Sequence, residues 1–190
     1  MNASLVRVYW NGEAMSLTCA ATQSSSAFGG PAEFEFHGAP LDHPLHLVAN
    51  LNHNEVAAIR PPRYIFDLPL LYGMRYSGCT LTYSFQSSAI TVESIDPPAS
   101  SDDWPYRHYP AILPYHPLSV LSTEQQSWSE FAYGTSNLSE DQPAECVVLV
   151  PPPFGLGFTM WGRGGDAEEV TLVFECDLLA RRVKAYNVCS

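Results

Sequence analysis

Short alternating runs of β-branched and aromatic residues constrain the fold of this chain more than any other feature. Near the end of the chain, residues 169–176 (EVTLVFEC) and 182–189 (RVKAYNVC) flank a five-residue connection, which predicts two paired strands. In the first of these runs Val170, Leu172 and Phe174 fall on one face, as expected for a strand that buries one side. The final part of the chain is therefore predicted to form a hairpin within a sheet.

The same pattern recurs earlier. Residues 81–85 (LTYSF) and 90–94 (ITVES), separated by a turn-like QSSA, predict another hairpin, and 33–37 (EFEFH) alternates charge and ring. Residues 145–150 (ECVVLV) form an apolar run that three prolines close. The chain contains 16 prolines, and because proline interrupts both helices and sheet ladders, this number implies many turns and edges.

Helix signals are few. Residues 52–59 (NHNEVAAI) could form two turns before Pro61, and 122–133 (STEQQSWSEFAY) is the better candidate, with Ser122 as its N-cap. We therefore predict a β-rich α+β fold: mixed or antiparallel sheets, one or two short helices and long proline-rich loops. The longest loop, 96–118, is rich in proline and aromatic residues, and we expect it to pack against the body of the protein.

Length and composition suit one globular domain over residues 1–190, which could consist of two sheet-bearing halves that meet near 96–118. No basic start followed by an apolar run is visible, and no apolar run is long enough to span a bilayer. The five cysteines are odd in number and widely spaced, without a CxxC pair. These features predict a soluble cytoplasmic protein with reduced thiols and no membrane association.

The charge narrows the choice of partners. The net charge is −11, and the basic residues are eight arginines and one lysine. Such a surface repels phosphate backbones, which argues against nucleic acid and favours a basic protein partner. Acidity that serves only solubility is the alternative explanation.

The histidines raise the question of a metal site, because His37, His43, His46 and His53 lie within twenty residues of one another. If residues 43–51 form a strand, His43 and His46 point to opposite faces and cannot share one ion without a bulge. No pair with the spacing of a zinc motif is present. We therefore predict no metal and no cofactor, and histidines on a half-exposed strand and its flanking loops.

Residues for catalysis are equally sparse. No GxSxG motif occurs, and Cys79, although it follows Gly78 and lies near Arg75, has the features of a small buried cysteine at a strand start. Residues 161–166 (WGRGGD) resemble a phosphate-binding loop only loosely, since no lysine follows and the next residues are acidic. We assign no catalytic residue, and an enzymatic activity has no motif to support it.

The first half of the chain resembles the YwqG-like family of bacterial proteins. The resemblance rests on three segments, whose matching residues are Ser26, Gly29, Gly30 and Pro31, then Pro40, Leu41, Ala49, Asn50, Leu51 and Asn52, then Leu68, Pro69, Leu81 and Tyr83. It implies a β-rich mixed fold of two sheet-bearing halves and supplies no activity. Members and look-alikes that lie beside toxin genes suggest antitoxin or immunity roles.

Two functions follow as hypotheses. The first is a protein-binding module of the immunity or antitoxin type, which neutralises a bacterial toxin through aromatic anchors and acidic groups. Its predicted partner-binding residues are Asp102, Asp103, Trp104, Asp166, Glu168 and Glu169. The second is a small-molecule-binding protein or enzyme. Its predicted pocket is built from Tyr72, Arg75, Tyr76, Trp104 and His108.

Overall fold

The computed structural model describes residues 4–21, 24–57, 64–76, 78–96, 110–135, 137–153, 156 and 170–189. These residues form twelve strands and one helix. In chain order they are β1 (Val6–Trp10), β2 (Glu13–Cys19), β3 (Ala27–Gly30), β4 (Glu35–Gly38), β5 (His46–Leu51), β6 (Leu68–Tyr72), β7 (Thr80–Gln86), β8 (Ala89–Asp96), β9 (Leu113–Gln125), α1 (Trp128–Ala132), β10 (Cys146–Val150), β11 (Val170–Asp177) and β12 (Arg182–Cys189).

The strands form one mixed sheet in the order β4-β8-β7-β12-β11-β10-β1-β2-β9-β3-β5-β6. Its neighbours are antiparallel except for β4 and β8, which run parallel. The predicted hairpins β7–β8 and β11–β12 are both present, and β10 is the predicted apolar strand. The β-rich prediction is confirmed, while the helical content is smaller than expected, with one helix of five residues in the described part of the chain.

The long strand β9 joins two parts of the sheet. Its first residues, from Leu113 to Pro117, pair with β3, and its later residues, from Leu118 to Gln125, pair with β2. A close approach of β3 to β9 requires glycine at Gly29, whose φ is +69° and whose added Cβ would lie 2.1 Å from the carbonyl oxygen of Pro114. Strand β9 therefore holds β3, β5 and β6 against the inner face of the larger part of the sheet.

Two apolar clusters lie on opposite faces of the sheet. The larger contains Val8, Leu172 and Phe174 from the central strands and Phe28, Leu51 and Leu70 from the folded-over part. The smaller lies on the outer face, where Trp128 and Phe131 of α1 cover Tyr9, Val147 and Val173. The alternation of Val170, Leu172 and Phe174 toward the main core agrees with the prediction.

The helix prediction over 122–133 is wrong in its boundaries. Residues 122–125 belong to β9 and pair with β2, and the helix begins only after Ser127. Ser127 and Glu130 form a capping box, in which Ser127 Oγ accepts from the Glu130 amide and Glu130 accepts from the Ser127 amide at 2.8 Å. Pairing with β2 is a long-range interaction, and it outweighs the local helix signal at Ser122.

The segment 52–59 was also expected to be helical. Its described residues, 52–57, form a single turn, in which the amides of Glu55 and Val56 donate to the carbonyl of Asn52 at 3.1 and 3.2 Å. The turn is fixed from outside, because the Glu55 carboxylate accepts from Ser24 Oγ and from the amides of Ser25 and Ser26. Burial would raise the pKa of Glu55, but these hydrogen bonds outweigh it and lower that pKa.

Candidate functional site

The residues predicted to contact a partner lie outside the described part of the chain. This holds for Asp102, Asp103 and Trp104, and equally for Asp166, Glu168 and Glu169. Trp104 and His108 of the alternative pocket also lie outside the described residues. Whether Trp104 serves the core or an interface therefore stays a prediction.

The other residues of the alternative pocket belong to the interior. Tyr72 and Tyr76 are fully buried, and the Tyr72 hydroxyl lies 2.9 Å from the Cys79 carbonyl oxygen. The Tyr76 hydroxyl donates to the His43 carbonyl at 3.1 Å and accepts from the His43 amide at 3.0 Å. Both phenols thus bind backbone groups, and Tyr76 fastens its own segment to His43, which precedes β5. Arg75, beside them, is partly exposed.

The histidines of residues 37–53 lie in different environments. His46 is buried on β5, with Nε2 2.8 Å from the Pro110 carbonyl oxygen, and burial lowers its pKa. His43 packs edge-on against Tyr76, and His37 is exposed on β4. The expectation of a half-exposed strand is wrong, since β5 is buried on both faces and an irregularity between Leu47 and Ala49 interrupts its alternation. Within the described residues, no three His, Cys, Asp or Glu side chains lie close enough to hold a metal ion.

The described cysteines are free thiols: Cys19, Cys79, Cys146 and Cys176. Burial raises the pKa of the Cys79 thiol to about 11, so this residue lacks the thiolate that nucleophilic catalysis needs. Cys146 and Cys176 lie directly opposite each other on β10 and β11 in the main core. These thiols fill space in the interior, as predicted for buried structural cysteines.

One stretch of sheet edge stands out by its exposure. Residues 119–125 of β9 pair with β2 on one side, and no strand of the described residues pairs with their other side, because β3 leaves β9 at Pro117. All seven of these residues are exposed, and Val120 and Leu121 are 43% and 49% exposed. The run SVLST within it contains no lysine, arginine or proline, the residues that usually protect an edge.

Two features shape this edge. A β-bulge shifts the register between Ser16 and Leu17, so that Leu121 has no partner on β2. The end of the sheet at which this edge finishes is acidic. Glu124 lies on the edge, the Gln125 side-chain amide donates to Glu13 at 2.8 Å, and Asn11 of the β1–β2 turn donates to Glu145 at 3.2 Å. None of these three carboxylates has a cationic partner within 4 Å among the described residues. We call residues 119–125, with these carboxylates, the β9 edge.

A cleft of about 530 Å³ lies between the two parts of the sheet. One wall carries Ser87 from the β7–β8 turn and Arg181 from the β11–β12 turn, and the other carries His53 and Asp67, which flank β5 and β6. Aromatic and aliphatic side chains form its apolar surface: Phe34, Ile65, Phe66, Pro69 and Phe85. Phe66 and Phe85 meet edge to face at 5.4 Å between ring centroids.

Asp67 organises one wall of this cleft. Its Oδ1 accepts from the His53 amide at 3.1 Å, from Asn52 Nδ2 at 3.0 Å and from His53 Nδ1 at 2.9 Å. Burial would raise the pKa of Asp67, but the hydrogen bonds from His53 and Asn52 outweigh it and lower that pKa. Because the ionised carboxylate only accepts, Nδ1 of His53 carries the proton of this hydrogen bond.

No local sequence pattern marks either surface as a site. Asn50, Asp67 and Arg181 are far apart along the chain, and only the folding of β5 and β6 toward the two turns brings them to one cleft. The run at 119–123 could have been found as a strand by its β-branched residues, but its free edge depends on where β3 ends.

Comparison with protein-family models, with curated protein sequences and with solved structures gives no match. Among the described residues there is also no helix that could cross a membrane. The β9 edge and the cleft are therefore the two surfaces whose geometry bears on function.

Proposed function

We propose that this protein is a protein-binding module that receives an extended, basic segment of a partner protein along the β9 edge. The observation that carries the proposal is the seven-residue run 119–125, which is exposed and lacks a neighbouring strand on one side within the described part of the chain. A strand in this state offers backbone N–H and C=O groups to an added strand, which is a common mode of peptide recognition.

The length and composition of the edge suit this role. Seven residues span about 23 Å, enough for a ladder of several backbone hydrogen bonds. Val120 and Leu121 supply exposed apolar surface beside the ladder, and the bulge at Leu121 bends the edge so that it favours one register of the added strand. By contrast, the outer strand β4 has four residues and carries Glu35 and His37, which protect it.

Charge defines the class of partner. Glu13, Glu124 and Glu145 lie at the same end of the sheet and form no ion pair within 4 Å among the described residues, although Arg7 interacts electrostatically with Glu124. The whole chain carries −11. Lysine or arginine residues flanking the incoming strand would meet these carboxylates. Such complementarity accelerates association and makes it sensitive to salt.

We place this binding in an immunity-type role, in which the protein neutralises a basic bacterial toxin or effector domain. The resemblance of the first half to YwqG-like proteins and the negative charge support this setting. A binding role of this kind needs a complementary surface and no catalytic residue, in keeping with the scarcity of catalytic motifs.

Selection of random linear peptides against the purified protein tests the binding mode. We expect enriched peptides to combine lysine or arginine with β-branched residues, and to lose affinity for the Leu121→Lys variant. Leu179→Lys is the matched control, because it is the same substitution at an exposed leucine in the β11–β12 turn. Equal loss in both variants, or peptides that bind both as well as wild type, would refute the edge as the binding surface.

The immunity role has a separate test. It predicts a toxic effector gene directly upstream, and co-expression of this protein should restore the growth of cells that produce the effector. Leu121→Lys should abolish that rescue and Leu179→Lys should preserve it. Rescue that survives Leu121→Lys would place the interaction elsewhere on the molecule.

A further inference from the structure

The cleft between the two parts of the sheet lies apart from the β9 edge and contains polar groups with unused hydrogen-bonding capacity among the described residues. Within the described residues, four such groups make no hydrogen bond or ion pair: the Asn50 side-chain amide, His53 Nε2, Asp67 Oδ2 and the Arg181 guanidinium. An apolar cavity with a few convergent polar groups is the usual form of a small-molecule site. The cleft therefore has the composition of a binding site.

The backbone of Arg181 adopts an unfavourable conformation. Its φ is +52°, a left-handed conformation that normally favours glycine or asparagine in a hairpin turn. Its guanidinium lies 4.5 Å from the centroid of the Phe66 ring, and no carboxylate of the described residues lies within 4 Å of it. A turn with this geometry needs no arginine, so the guanidinium at the cleft points to a role in binding a negative group.

The two opposite charges of the cleft do not neutralise each other. Asp67 binds His53 and Asn52, and it forms no ion pair with Arg181. A purely anionic ligand would meet the repulsion of Asp67, and a purely cationic one that of Arg181. A ligand that carries both charges could satisfy both walls, with its apolar part against Phe34, Phe66 and Phe85.

We propose that this cleft binds a free α-amino acid with an apolar side chain. Its carboxylate receives hydrogen bonds from Arg181, its ammonium group donates to Asp67 Oδ2 beside the His53 ring, and its side chain packs on the phenylalanine rings. Asn50 provides a further donor and acceptor for the same polar groups. This site is independent of the β9 edge, and its test does not depend on any protein partner.

Calorimetric titration with L-phenylalanine and L-leucine tests the proposal, with two analogues that each lack one charge. 3-Phenylpropanoate lacks the ammonium group, and 2-phenylethylammonium lacks the carboxylate. We expect phenylalanine to bind, and each of its two analogues to bind at least about tenfold more weakly, since each loses a charge-assisted hydrogen bond. No binding by either amino acid, or equal binding by an analogue, would overturn the proposal.

Variants identify which wall of the cleft binds each charged group of the ligand. Arg181→Asn suits the left-handed turn and should weaken phenylalanine and phenylpropanoate binding by about tenfold or more, without weakening phenylethylammonium. Arg182→Gln is the matched control, because Arg182 pairs with Glu93 at 2.7 Å and does not line the cleft; it should change affinity by less than about twofold. If Arg182→Gln has the larger effect, or if Arg181→Asn leaves the affinity unchanged, the site is not this cleft.

Discussion

Two edges of the same sheet differ in how their outward backbone groups form hydrogen bonds. At β6, the hydroxyl of Tyr83 reaches across from β7, accepts from the Leu71 amide at 2.9 Å and donates to the Pro69 carbonyl at 2.7 Å. Tyr83 is fully buried, so this outer strand is closed by a side chain of the fold itself. At residues 119–125 of β9, no described residue pairs with the free side, and every residue is exposed.

The two edges differ in what satisfies their outward backbone groups. At β6 a buried side chain of the protein forms these hydrogen bonds. Buried backbone groups must be satisfied, and at β6 a phenol does so. An exposed edge is satisfied by water and is free to exchange that water for a partner strand. We therefore attribute stability to the β6 edge and binding to the β9 edge, and variants can separate these roles.

Tyr83→Phe should have the largest effect on stability. Because phenylalanine lacks the hydroxyl, the Leu71 amide and the Pro69 carbonyl lose their hydrogen-bond partner. We expect this loss to lower the free energy of unfolding by about 1–3 kcal/mol. Urea unfolding measures the loss. Tyr133→Phe is the control, since Tyr133 is 86% exposed and its substitution should change stability by less than about 0.5 kcal/mol. Equal stabilities would mean that Tyr83 does not close the β6 edge.

Ser127→Ala should destabilise the protein by about 1 kcal/mol, because it removes the N-cap of α1 just beyond the end of β9. The unfolding midpoint in urea reports this loss. The same variant should bind selected peptides with wild-type affinity, since Ser127 does not belong to the β9 edge. Weakened binding would show that the edge depends on the position of α1, and that stability and binding are coupled there.

Lowering the pH should destabilise the β6 side of the sheet, where His46 lies. The run 119–123 of β9 contains no side chain that titrates in this range. Burial lowers the pKa of His46, which pairs with Tyr72 of β6. Below the unfolded-state pKa of about 6.5, the unfolded chain binds a proton that the folded chain does not, so the stability contributed by His46 is full above that pH and declines below it. Urea unfolding at about pH 7.5 and about pH 5.5 should show a larger loss in wild type than in His46→Asn. Identical losses would contradict the assignment.

The sequence predicts the local hairpins of this fold and misses what depends on distant strands. The β7–β8 and β11–β12 hairpins follow from alternation, and β1–β2 could have been added, because Asn11-Gly12 is a strong hairpin signal and both residues have positive φ. Strand β9 was interpreted as part of a loop and part of a helix, since Pro114 and Pro117 obscure its pattern. Its partners β2 and β3 decide its conformation.

The candidate sites show the same division. The partner-binding residues predicted from acidity and aromatic anchors lie outside the described residues, so that prediction stays open. Tyr72 and Tyr76 looked like pocket residues because phenols suit binding sites, but their hydroxyls bind backbone groups of the core. The cleft around Asp67 and Arg181 arises from long-range topology, which no local pattern encodes.

The most direct test of the β9 edge is amide hydrogen exchange with and without a selected basic peptide. We expect protection to rise in residues 119–125, on the alternate amides that face away from β2, and β6 amides such as Leu71 to be protected to the same degree in both states. Binding that leaves the exchange of residues 119–125 unchanged, while another surface becomes protected, would contradict the central claim.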